Sequence, residues 1–74
     1  MFGYFLKNAN GKYIKDIDTY NGTLTFTKSP SEAKNYRGMP GGGRWDAENE
    51  LIYLKRHFSE YKELETMTCI SEEY

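Results

Sequence analysis

Apolar and polar positions alternate with a period of two over the first third of the chain and recur every three to four residues later on. That change predicts strands first and a packed helix afterwards. Phe2 to Lys7 is rich in aromatic residues and reads as a strand, and Asn8-Ala9-Asn10-Gly11 supplies turn chemistry, because Asn and Gly tolerate the positive φ of tight hairpins. Lys12 to Ile17 returns as a second strand, with Tyr13, Lys15 and Ile17 on one face and Lys12, Ile14 and Asp16 on the other. Asp18 to Gly22 forms another turn. Thr23-Leu24-Thr25-Phe26-Thr27 then alternates cleanly, which directs Leu24 and Phe26 to the core and the threonines to water.

Ser29, Pro30 and Glu32 spell an N-cap, a first-turn proline and a capping-box acid, so a short helix is expected from Ser29 to about Arg37. Gly38-Met-Pro-Gly-Gly-Gly43 predicts a flexible loop. Asp46 is the expected N-cap of a second helix, whose Ala47, Leu51, Leu54 and Phe58 share one face and would pack on the sheet. That helix is expected to end near Ser59. A closing strand from about Lys62 to Ser71 follows from the β-branched and thiol-bearing run Thr66 to Ile70, leaving Glu72-Glu73-Tyr74 as a frayed tail. The predicted class is α+β: a small antiparallel sheet in the order β-β-β-α-α-β, with one main helix on one face.

Length limits this architecture to a single domain, residues 1–74. A chain of this size buries only roughly 60 per cent of its unfolded surface. No covalent staple helps, since Cys69 is the sole cysteine, and one His with one Cys cannot build a structural zinc site. No cofactor is expected. Met1 to Lys7 has neither a basic start nor a long apolar run, so it predicts no leader and no membrane span, and points to a cytoplasmic protein.

The net charge of −1 hides an asymmetry. Residues 1–44 carry seven basic and three acidic side chains, a net +4, whereas residues 45–74 carry three basic and eight acidic ones, a net −5. Two solvated faces of one domain are the simplest explanation. The acids of the second half, such as Glu48, Glu50 and Glu63, could also imitate a phosphate backbone toward a DNA-binding enzyme. In the first half, Tyr4, Lys7, Lys12, Tyr13 and Lys15 interleave rings and cations, the composition of a platform for single-stranded nucleic acid. A small sheet needs its aromatics for its core, however, and a pI near 5.8 is unlike a dedicated nucleic-acid binder.

Candidate catalytic groups are each outweighed by a structural role. His57 and Cys69 would need to meet in an open pocket to act as a dyad, but Cys69 falls in a strand, where a free thiol behaves as a small hydrophobe. Asp16 and Asp18 flank a turn and are expected to cap backbone. The amides of Gly41 to Gly43, followed by Arg44 and a helix start, could cradle an anion, although the phosphate-loop pattern is absent. The chain is therefore expected to act by binding, not by catalysis. Tyr36, Arg37, Met39, Arg44 and Trp45 are the candidate contact residues, being interface-prone types gathered around the glycine loop, and Trp45 equally fits a staple folded back over the helix start.

Residues Tyr4 to Asp18, with Leu24 to Thr27 and Ser31-Glu-Ala-Lys34, resemble small proteins carried by bacteriophages and mobile elements of Firmicutes. Those proteins share a strand, an N-G-K-Y turn, a D-I-D segment, an F-T strand end and an E-A-K helix start. The likeness covers about residues 4–34 and its motifs are structural, so it brings no active site across. Gly38 to Trp45 departs from the pattern. The resemblance implies a phage-type accessory protein that binds and blocks a bacterial host protein, such as a defence nuclease complex in the host cytoplasm. Self-association is a further expectation, since so small a core gains from it.

Overall fold

A computed structural model describes residues 2–74. Its elements are β1 (Phe2–Lys7), β2 (Tyr13–Asp18), β3 (Thr23–Thr27), α1 (Arg44–His57), a single 3-10 turn (Lys62–Leu64) and β4 (Thr68–Glu73). The four strands form an antiparallel sheet in the order β3-β2-β1-β4, with α1 packed across β1 and β4. The class is the expected α+β. The closing strand lies beside β1, with Phe2 opposite Glu73 and Lys7 opposite Thr68.

The helix stripe behaves as its spacing requires. Ala47, Leu54 and Phe58 are buried and Leu51 packs against them. They meet Leu6, Ile14 and Leu24 from the sheet, each fully buried aliphatic stabilising the fold by about 1.5–3 kcal/mol relative to exposure. The remaining core residues, Tyr36, Leu64 and Met67, come from outside the long elements.

Strand β2 does not keep one alternation. Ile14 opposes Phe26 and Ile17 opposes Leu24, but the register shifts between Ile14 and Asp16, so Lys15 is the extra residue of a bulge. The bulge puts Ile14 and Ile17 on the same, helix-facing side. The expected grouping of Tyr13, Lys15 and Ile17 on one face is therefore corrected. Tyr13 faces the opposite side, where its ring and that of Tyr74 meet Phe5 edge-on at 5.7 and 5.5 Å.

The expected helix from Ser29 to Arg37 does not form. Bonds from Glu32 N–H to Ser29 O (3.1 Å) and from Ala33 N–H to Pro30 O (3.3 Å) make one turn and stop. Glu32 accepts from the Thr27 hydroxyl instead of closing a capping box on Ser29. Next, Lys34 N–H donates to Ile14 O and Tyr36 N–H to Tyr4 O, both at 2.9 Å, so the segment lies alongside both β2 and β1. A helix this short is marginal alone. Two bonds to the sheet and the burial of Tyr36 outweigh it.

Two further boundaries move. α1 starts at Arg44 with Gly43 as its N-cap, not at Asp46, and ends at His57. The strand expected from Lys62 begins only at Thr68, because successive i→i+3 bonds wind residues 61–67 and turn Leu64 and Met67 into the core. The tail expected to fray instead continues β4 through Glu73 and packs the Tyr74 ring on Phe5.

Candidate functional site

Strand alternation places Phe2 and Tyr4 on the same side of β1, and the rings meet edge-on at 5.1 Å. Asn35 then fixes what lies beside them. Its side-chain oxygen accepts from Tyr4 N–H (3.1 Å) and from Arg37 N–H (3.0 Å), which continues the contact of this segment with β1. A side chain on Gly3 would collide with Asn35, so glycine is needed there for the close approach. Arg37 donates from Nη1 to Phe2 O (3.2 Å) and sets its guanidinium 4.9 Å from the Phe2 ring centre.

At the other end, the start of α1 brings Arg44 over Tyr4 at 5.6 Å. Gly43 makes this possible. Its φ of 91° favours glycine, and a Cβ would lie 2.5 Å from the Tyr4 ring. The result is a ladder, Arg37–Phe2–Tyr4–Arg44, with a guanidinium at each end and two rings between. Among the described residues neither arginine is ion-paired.

The predicted contact residues divide into three groups. Tyr36 is a correction: it is 1% exposed, belongs to the core, and donates its hydroxyl to Glu50. Met39 is half-buried against the same core. Arg37 and Arg44 stand in the ladder. Trp45 is 63% exposed, but lies against Gly41 on the flank of α1 and makes no ring contact with the ladder. Phe2, Tyr4 and Asn35 were not expected at the site. The signal for the first two was their i, i+2 spacing, which the strand assignment absorbed into the core.

The glycine loop has a defined path in place of the expected flexible one. Gly42 N–H bonds to Met39 O at 3.0 Å, and the amides of Gly41 and Gly43 donate to the Asp46 carboxylate at 3.3 and 2.9 Å. The amides proposed to cradle an anion thus hold the chain's own carboxylate. Asp46 caps the helix from its third position, not from the N-cap.

Other constellations resolve similarly. Cys69 lies beside Arg44 and Glu48 at the start of α1, and burial pushes its thiol above the ordinary value. His57 ends the same helix, roughly 20 Å along the axis from Arg44, with its ring on Tyr53 at 4.4 Å. The two do not meet. Asp18 accepts from Asn21 N–H (3.0 Å) and its side-chain amide (2.7 Å), and these bonds hold its carboxyl below the usual range.

In the Lys/Tyr hairpin Tyr13 is 3% exposed beneath Lys7, Lys7 pairs with Glu72 at 3.2 Å and Lys12 with Glu63 at 4.0 Å, whereas Tyr4 is half-buried in the ladder. Glu50, Glu63 and Glu72 are thus committed to intramolecular pairs instead of an open acidic face.

Comparison of the chain with protein-family models, curated proteins and solved structures yields no match. No helix among the described residues is long and apolar enough to cross a membrane.

Proposed function

We propose that the chain is a non-catalytic binding protein that engages another protein through the Arg37–Phe2–Tyr4–Arg44 ladder. One observation carries this reading: two guanidinium groups are held against rings, and neither is ion-paired among the described residues. An arginine held against a ring keeps donors for a carboxylate, although Arg37 already gives Nη1 to Phe2 O, and part of its ordering cost is met before binding. Arginine and aromatic residues are also those whose truncation costs interfaces most. The partner surface is accordingly acidic. The resemblance of residues 4–34 to phage and mobile-element accessory proteins makes a bacterial host protein the expected partner, such as a defence nuclease complex, which the chain would inhibit in the host cytoplasm.

Immobilised protein should capture a stoichiometric partner from a Gram-positive lysate, and Arg37→Gln/Arg44→Gln should lose it. Capture undiminished by the double substitution would overturn the assignment to the ladder. Recovery of no partner by the unsubstituted chain would overturn the binding function itself.

A further inference from the structure

Neighbouring residues Arg44 and Trp45 serve different surfaces. At about 100° per residue, Trp45, Asn49, Ile52 and Arg56 align on one stripe of α1, opposite the buried Ala47 and Leu54. Trp45 is 63% exposed, Ile52 59% and the adjacent Tyr53 43%. Scattered apolar residues on a surface need no explanation, but three on one face of a 14-residue helix mark a place of contact.

Charge along this face identifies what it contacts. Exposed Glu48 lies in its N-terminal half, whereas Lys55, Arg56 and His57 occupy the last turn. Among the described residues, Glu48, Lys55 and Arg56 form no ion pair. A face acidic at one end and basic at the other is complementary to itself when reversed.

We propose that the outer face of α1 takes a second copy of this chain, packed as an antiparallel helix about a two-fold axis that passes between Asn49 and Ile52. In that pairing Trp45 lies opposite the partner's Arg56, Asn49 opposite the partner's Ile52, and Glu48 beside the partner's Lys55. Tryptophan is the best ring for a cation, and antiparallel macrodipoles attract. A parallel pair would instead set Trp45 on Trp45 and Arg56 on Arg56. The two-fold contact is isologous and closes at a dimer. Because Arg44 points about a quarter-turn away from Trp45, toward Tyr4, both ladders stay open. The dimer offers two such surfaces to a repeated or dimeric partner.

One helix face lies at the small end of the interface range. Sedimentation equilibrium, with Trp45 fluorescence followed on dilution, should therefore show a mass rising from 8.7 kDa toward twice that value at high micromolar concentration. Ile52→Lys should weaken dimerisation by ~10-fold or more, as should Glu48→Lys alone, whereas Glu48→Lys with Lys55→Glu should restore most of it by exchanging the two charges. These positions are exposed, and circular dichroism will check that each variant folds. A mass fixed at 8.7 kDa up to about millimolar protein, or dimerisation indifferent to Ile52→Lys, overturns the proposal. So does capture by this face of a different protein with no self-association. None of these outcomes depends on whether the ladder binds its partner.

Discussion

Among the described residues four cations lie over aromatic rings, and they divide into two closed clusters and one open one. Lys34 sits 5.2 Å from the centre of Tyr36, and Glu50 closes the group by accepting from the Tyr36 hydroxyl and pairing with Lys34 at 2.7 Å. Lys7 sits 5.0 Å from the centre of Tyr13, and Glu72 closes that group in the same way. The first cluster fastens the irregular segment at residues 34–36 to α1; the second ties β1, β2 and β4 together on the far side of the sheet. Arg37 and Arg44 have the rings but no carboxylate. In the closed clusters every polar end is satisfied within the chain, which is what a structural role requires. In the ladder neither guanidinium is ion-paired among the described residues, and Arg37 gives only one donor, Nη1, to Phe2 O.

On this division the closed clusters should govern stability and the ladder should govern binding. The largest effect is expected from Glu50→Ala, which strips the partner from a hydroxyl on a residue that is 1% exposed. Leaving such a donor unpaired costs about 1–3 kcal/mol, or about 4–8 °C in Tm for each kcal/mol at this size. Urea and thermal denaturation followed by circular dichroism will measure it. Arg37→Gln/Arg44→Gln should cost at most about 1 kcal/mol in the same assays, since cation–ring contacts at exposed sites are weak. A loss as large as that of Glu50→Ala would erase the distinction and make the ladder one more fastening.

The smallest effect concerns pH. The Tyr13 hydroxyl and Lys7 hold the Glu72 carboxyl below the usual range, so its contribution is present at neutral pH and is lost as pH falls through that lowered value. Burial, together with the bonds to Glu50 and Glu72, pushes the Tyr36 and Tyr13 hydroxyls above their ordinary value of 10.0. Their contribution is therefore complete below pH 10 and declines above it. Glu72→Gln should flatten the acid limb of a Tm–pH profile, while Arg37→Gln/Arg44→Gln leaves both limbs in place, because guanidinium does not titrate in this range.

The two kinds of cluster were not equally legible in the sequence. Lys34 and Tyr36 are two residues apart, but Glu50 joins them only because residues 34–36 lie against the sheet beneath α1. The ladder was half visible: Arg37 and Arg44 stood out beside the glycine loop, yet their rings belong to β1. Tyrosine suits both an interface and a core, so the sequence groups Tyr36 with the surface contacts whereas the structure buries it. Only its bond to Tyr4 O decides between them.

What the sequence alone determined rests on spacing within a few residues. The three opening strands, the Asn8–Gly11 turn, the Ala47–Leu51–Leu54–Phe58 stripe and the α+β class all follow from periods of two and of three to four, which neighbouring residues impose on one another. The tertiary structure decided the unhelical course of residues 28–43, the bulge at Lys15, the winding of residues 61–67 and the assembly of the ladder. Each depends on a bond or a burial that links positions far apart in the chain. Local propensities of a few tenths of a kcal/mol per residue yield to such contacts when a buried ring or a satisfied backbone donor contributes one or more.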